Sequence, residues 1–466
     1  MNLKRIYLLL LVVVCCVAAN AQAGKTIRPF KKGERVIFVG NSITHGGHYH
    51  SFIWLYYMTR FPKQPITVMN GGIGGECAWD IEKRLEDDVF DRNPTYVALT
   101  FGMNDTGYGI YNEPDAKQKL EQQIKKSYES YLNIEKMLQN KKAVAKVLIG
   151  GSPYDETTKF NDSFFPNKNE ALLKIIDFQQ ASANKNNWGF VDFNKPMLAL
   201  NLREQKKDPN FTFCNVDRIH PDNHGQMVMA YLFLKAQGLA GKKVAEVGID
   251  ASTATAGTQD NCSISGLKNT GNKLEFDYLA KALPYPIDTI PRHGWGEKKS
   301  QRDALTLVPF MEEFNQEVLK VTHLEKGEYQ LKIDGITISN LSSAELSNGI
   351  NLATFTNTPQ YQQALKIMFL NEERFEVEKR FREYKWVEYT FLRKEGLLYA
   401  DNREALDRIN EALPNDFFLQ MSYDNFTKAV YPEVRKVWKD YMEQIVSTIY
   451  KINQPVSHRF VLEKIQ

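Results

Sequence analysis

The chain of 466 residues carries 59 Lys and Arg against 56 Asp and Glu, a formal charge of +3, with 43% hydrophobic and 12% aromatic residues, 28 Gly, 18 Pro and 5 Cys. Globular apolar content, background levels of Gly and Pro, and few Cys exclude a disordered, collagenous or disulfide-scaffold protein. Near-neutral charge without an arginine-rich stripe gives no attraction for a phosphate backbone, so no nucleic-acid partner is expected; at roughly 100 to 200 residues per domain the length favours two or three packed units.

The first residues read as an export signal: a basic start at Lys4 and Arg5, an apolar run from Ile6 to Ala19, then small residues ahead of Gln22. The run is short for a bilayer span and turns polar at Gln22, Gly24 and Lys25. Cleavage after residue 21 is expected, which leaves no integral membrane segment and an exported protein, periplasmic or secreted, from a bacterium. Cys15 follows Val14, without the small residue expected beside a lipid-modified Cys. Cys77, Cys214 and Cys262 then remain, an odd number that allows at most one bridge, and none is spaced as a zinc pair.

From Arg35 to Val247 short apolar runs alternate with amphipathic stretches. Val36–Val39, Ile66–Met69, Tyr96–Phe101, Val147–Ile149 and Phe190–Phe193 are rich in β-branched or aromatic residues and closed by Gly, Asn or Pro, as strands buried on both faces are. Ala116–Leu138 and Glu170–Asn184 carry apolar residues at helical spacing amid charges. The alternation predicts a parallel sheet covered by helices, with functional residues on loops at the carboxyl ends of its strands. Residues 22–247 are taken as this domain and 248–466 as an accessory region. Ser252–Asn261 reads as a linker, Leu274–Ala280, Val318–Thr322 and Tyr329–Ile333 as antiparallel strands within about 262–340, and the stretch from about 355 to 450 as mostly helical before a short strand, His458–Leu462.

Four blocks fall at successive strand ends. Gly40-Asn41-Ser42-Ile43-Thr44-His45-Gly46 places a Ser between a strand and an aromatic helix starting near Tyr49; such a Ser is exposed at the sheet edge and is also a common N-cap. Asn70-Gly71-Gly72-Ile73-Gly74-Gly75 lets backbone N–H groups approach a ligand, or forms a tight turn. Phe101-Gly102-Met103-Asn104-Asp105 offers a side-chain amide, and Asp217-Arg218-Ile219-His220-Pro221 an acid three residues before a His. His48 and His50 alternate at the helix start without an identifiable carboxylate partner, so surface or pocket-rim positions are expected and no metal is.

Together the blocks resemble the SGNH hydrolases, the GDSL-like esterases and acylhydrolases, over roughly residues 35 to 240. The resemblance implies a flavodoxin-like three-layer α/β/α sandwich. It also implies a carboxylic ester hydrolase with Ser42 as nucleophile, His220 as base, Asp217 orienting His220, and an oxyanion hole of the Ser42 and Gly75 N–H groups with the Asn104 amide. No cofactor is implied. Asn41 stands where the family usually has Asp. Exported relatives commonly resemble carbohydrate esterases, which points to an acylated, chiefly O-acetylated, oligo- or polysaccharide. Asn41, Tyr108, Tyr111, Trp79 and Tyr154 are the expected substrate contacts, and Trp54 either joins them or packs the core. A lipase or thioesterase, and a glycan-binding protein on an esterase shell, are the alternatives. Tyr108–Glu113 and Asp155–Asn169 are expected to shape specificity, the second half to pack against or position substrate for the first, and Cys77 and Cys214 are close enough to the pocket blocks to bridge them. Asn104-Asp105-Thr106 is an N-glycosylation pattern whose use would block the oxyanion amide, which favours a bacterial source.

Overall fold

The computed structural model describes residues 27–160, 164–292, 294 and 298–465; the expected export signal, residues 1–21, lies outside the described residues. The first half runs β1 (Arg35–Gly40), α1 (Ser42–His45), α2 (Tyr49–Arg60), β2 (Thr67–Gly72), α3 (Ala78–Arg84), β3 (Tyr96–Leu99), α4 (Ala116–Asn140), β4 (Ala145–Gly150), α5 (Lys168–Lys185), β5 (Gly189–Asp192), α6 (Asn194–Glu204) and α7 (Asn223–Ala236). The five strands pair in parallel in the order β2-β1-β3-β4-β5.

Side-chain alternation explains why both sheet faces are covered. Val36 and Phe38 of β1 enter one core with α2 and α7, whereas Ile37 and Val39 enter another with α3 and α4. The strand order reverses between β1 and β3, the switch point at which open sheets of this kind leave a crevice beyond their carboxyl ends. The three-layer α/β/α sandwich expected from the sequence is therefore observed.

The second half corrects two expectations. Ser252–Asn261 is not a linker, because β6 (Ala245–Asp250) pairs antiparallel with β7 (Thr255–Asp260), and β8 (Cys262–Asn269) and β9 (Lys273–Ala280) follow. After α8 (Phe310–Phe314), β10 (Glu317–Thr322) pairs parallel with β6, so Val318–Thr322 belongs to no simple hairpin. The small and polar residues of β7, Thr-Ala-Gly-Thr-Gln-Asp, hid a strand that is solvent-facing throughout. β11 (Glu328–Ile333) and β12 (Ile336–Ser342) do form the expected hairpin, turning on Asp334 and Gly335, both at left-handed φ of 51° and 79°.

Next come α9 (Ser343–Asn348), β13 (Ile350–Asn351), the helices α10 (Pro359–Trp386), α11 (Arg403–Ala412), α12 (Phe417–Ala429) and α13 (Pro432–Ile452), and then β14 (His458–Lys464), which inserts between β11 and β9. The helical segment is thus an insertion within a β unit. It packs on α2, whose residues are buried from end to end, as an all-round apolar helix requires. Trp54 of α2 lies under the Arg374 guanidinium at 4.6 Å and donates to the Tyr450 hydroxyl at 3.3 Å, which makes it a core residue.

Charges lock the two halves together. Arg84 bonds Glu76 and Asp88 at 2.7 and 2.8 Å, and Arg382 of α10 reaches the other Asp88 oxygen at 3.0 Å. Burial alone would push the Asp88 carboxyl up, but Arg382, Arg92 and Arg84 hold it well below the usual carboxylate range. Arg382→Met is expected to cost about 3 kcal/mol by leaving a buried ion pair broken. Urea unfolding of the full chain measures it, and an unchanged midpoint would contradict this account.

Candidate active site

The turn after β1 is possible because Gly40 has no side chain: a Cβ there would lie 2.4 Å from Thr44 Oγ1. Asn41 then caps α1, its Oδ1 accepting the Ile43 N–H at 3.0 Å, and Ser42 opens the helix. Asn41 is only 3% exposed and lines a small internal void, so it faces away from the substrate side on which it was expected. Local backbone capping is the force that turns it inward.

His220 arrives from a loop folded on itself. Asp217 Oδ1 accepts the N–H groups of Ile219 and His220 at 2.9 and 3.0 Å, and Asp217 Oδ2 lies 2.5 Å from His220 Nδ1. The intervening Arg218 adopts a left-handed φ of 65° and is buried, its guanidinium donating to the Asp155 and Thr158 carbonyls at 3.0 Å. Burial raises the Asp217 carboxyl, but the His220 ring and the two backbone N–H groups outweigh it and hold the group below its ordinary value. A proton held on Nδ1 by Asp217 leaves Nε2 as an acceptor, and Nε2 lies 2.8 Å from Ser42 Oγ.

The opposite side is built from two loops. Gly72 must be Gly, since a Cβ would fall 2.2 Å from the His45 nitrogen, and Gly75 has φ of +82°. Asn104 donates through Nδ2 to the Glu76 carbonyl at 2.9 Å while its Oδ1 accepts the Tyr108 hydroxyl at 2.9 Å. The amide is thereby oriented, with one Nδ2 hydrogen left over. Beneath it, Asp105 accepts the N–H groups of Ala78 and Gly102 and the Ser127 hydroxyl. Lys168 donates to the Met103 and Gly107 carbonyls and the Thr106 hydroxyl, and burial lowers its ammonium to about 7.

These groups open on a cavity of about 720 Å³ whose wall includes Ser42, Gly75, Asn104, Asp217 and His220 from the first half and Lys379, Glu383, Trp386, Thr390, Phe418 and Met421 from the second. Of the five expected contacts only Tyr108 lines it. Tyr154 is fully buried and accepts the Phe165 N–H at 3.1 Å, so Phe165 reaches the cavity in its place. Tyr111 is buried with its hydroxyl on the Thr106 carbonyl, and Trp79 lies under Lys126 at 3.7 Å. His48 and His50 are buried rather than at a surface or rim, His48 beside Glu372 at 3.5 Å and His50 near the Thr44 carbonyl at 3.3 Å. Cys77 lines the cavity, but Cys77 and Cys214 are both free thiols, Cys77 at the start of α3 and Cys214 bridged through its backbone to Pro221. Among the described residues no cluster of His, Cys, Asp and Glu could hold a metal.

His45 and Trp386 carry roles that the sequence reading did not assign. His45 Nδ1 accepts the Gly74 N–H at 3.0 Å, and burial, aided by Arg382, Lys379 and Arg84, lowers its ring to about 3. Its position three residues after Ser42 was a usable signal; the position of Trp386, more than 300 residues away, was not.

The fold and this site define an ester hydrolase built on a three-layer α/β/α sandwich. A gut microbial diltiazem-metabolizing enzyme is 51% identical, covering 95% of this chain and 100% of its own, with a TM-score of 0.92. The acetylxylan esterase of Geobacillus stearothermophilus is 26% identical over 225 residues, 44% of this chain and 94% of the relative. Residues 38–228 match the GDSL-like Lipase/Acylhydrolase family, and residues 365–454 match the Diltiazem deacetylase C-terminal helical domain. The chain belongs to the GDSL-like, or SGNH, acylhydrolase family and is a carboxylic ester hydrolase.

Tyr108→Phe removes the hydroxyl that orients Asn104 and is expected to lower kcat/KM roughly tenfold, less than the ~10²-fold of deleting an oxyanion donor outright. Because His45 stays neutral down to about pH 3, the acid limb of the kcat/KM profile between pH 4 and 8 should have unit slope. A slope of two that returns to one in His45→Gln would show that His45 titrates there, as distinct from Lys168, whose ammonium is lowered to about 7.

Proposed function

We propose that the protein is a serine esterase that removes short acyl groups, acetyl above all, from the alcohol held in its cavity. Ser42 Oγ attacks the ester carbonyl as His220 Nε2 takes its proton, and Asp217 stabilises the imidazolium that forms. The Ser42 and Gly75 N–H groups and the Asn104 amide hold the oxyanion. His220 then returns the proton to the departing alkoxide. Water, deprotonated by the same nitrogen, cleaves the acyl-enzyme and frees Ser42.

The observation that carries this reading is the Asp217–His220–Ser42 chain, at 2.5 and 2.8 Å, opening on a cavity walled by the C-terminal helices. Trp386, Phe418, Met421 and Phe165 give that wall an apolar, aromatic character, which suits a compact alcohol with an apolar face. The kinship with a diltiazem-metabolizing enzyme supports a small-molecule ester. A second reading, an acetylated oligosaccharide, draws on the acetylxylan esterase relative and on the polar Lys379, Glu383 and Thr390 in the same wall. Either substrate fits an exported enzyme, and among the described residues no helix is long and apolar enough to cross a membrane.

Hydrolysis of p-nitrophenyl acetate by the full chain is expected to vanish in Ser42→Ala and to fall on the order of 10⁴-fold in Asp217→Asn. Acetate release from diltiazem and from acetylated xylooligosaccharides then ranks the two alcohols. An active Ser42→Ala protein would refute the serine mechanism, and an inactive wild type would favour a binding protein.

A further inference from the structure

The C-terminal helices do more than enclose the cavity. The indole N–H of Trp386, the final residue of α10, donates to the Gly74 carbonyl at 3.0 Å, while the Gly74 N–H donates to His45 Nδ1 at 3.0 Å. The Gly74 carbonyl and the Gly75 N–H are two ends of one peptide group. No cis peptide occurs among the described residues, so the two point in opposite senses. A bond that fixes the carbonyl therefore fixes the direction of the N–H.

The turn is also closed by the Glu76 N–H on the Ile73 carbonyl at 3.4 Å, but a bond of that kind is kept when the central peptide of a turn flips, so it does not fix which way the Gly74–Gly75 peptide faces. Gly74 and Gly75 lack side chains, Gly75 has φ of +82°, and the space where its Cβ would lie is open. Among the described residues the Gly75 N–H has no protein acceptor, and Gly75 lines the cavity. Rotation of this peptide would turn a carbonyl oxygen toward the substrate in place of a donor, converting an oxyanion site into one that repels the developing charge. Trp386 is itself placed by the helix that carries Arg382, four residues earlier and doubly bonded to Asp88.

We propose that Trp386 is a positioning residue of the oxyanion hole, by which the helical region sets and polarises the Gly74–Gly75 peptide. The inference rests on the reading of Ser42 as nucleophile and Gly75 N–H as oxyanion donor. It assigns the second half of the chain a part in the chemical step as well as in substrate fit.

The test is steady-state hydrolysis of p-nitrophenyl acetate by the full chain carrying Trp386→Phe, which keeps an aromatic ring and removes the donor. The expected result is a 10- to 100-fold fall in kcat with KM changed less than threefold, because the bond acts on the transition state. A wall residue would instead raise KM and leave kcat in place, and that result would overturn the proposal. Should Trp386→Phe fold poorly, incorporation of the benzothiophene analogue of tryptophan at 386 replaces N–H by S without changing shape, and the same fall in kcat is expected. Ser42→Ala and Asn104→Ala are measured alongside. Loss of activity in both with unchanged kcat in the 386 variants defeats the role of Trp386 alone, whereas an active Ser42→Ala protein defeats the underlying mechanism.

Discussion

The buried carboxylate of Asp88 is the point on which the two halves of the chain converge. It takes guanidinium groups from Arg84 and Arg92 of its own domain and Arg382 of α10. Two of these cations satisfy the outer edge of β2, where Arg92 and Arg382 donate to the Asn70 carbonyl while Glu378 accepts the Asn70 N–H, and Arg84 donates to the carbonyl of the next residue, Gly71. β2 ends its sheet, and an uncovered edge of this kind is a template for unwanted strand pairing. A helix with carboxylates and guanidiniums replaces the missing strand. Because β2 leads directly into Gly72–Gly75, whatever holds this edge also holds one wall of the site.

Buried ion pairs of this sort add little net stability over a well-packed apolar alternative, but they cannot be broken singly without a large penalty. Their geometry is demanding, so they select one docking of α10 on β2 out of the many that an apolar interface would tolerate. Trp386 benefits from that selectivity, since an indole N–H bond to one carbonyl oxygen requires the helix to stop at a fixed turn and rotation.

Much of the first half was legible because its determinants are local. Val36–Val39 and Tyr96–Phe101 show their burial in composition, and glycines at 40, 72 and 75 mark a close approach to the Thr44 side chain, a contact with the His45 backbone and a left-handed turn. Ser42, Asn104, Asp217 and His220 could be grouped because strand ends of a parallel sheet share an edge. Tyr111, Tyr154 and Asn41 were misplaced because residue type does not reveal orientation: a hydroxyl or amide with a backbone partner turns inward regardless of its suitability for a ligand. β7 escaped notice because a wholly exposed strand lacks apolar alternation. The part of Trp386 was invisible in principle, as it depends on a contact between residues 312 apart in sequence.

The place of β14 between β9 and β11 bears on how the molecule is made. A ribosome delivers β9 and β11 long before β14, with all four helices of α10–α13 in between, so the five-stranded sheet has a gap at its centre through most of synthesis. The helical segment must therefore find α2 and β2 while its own parent sheet is still open. Nascent chains should spend that interval with two unpaired strand edges facing each other, which makes this stretch of translation the one where a holding chaperone would matter most.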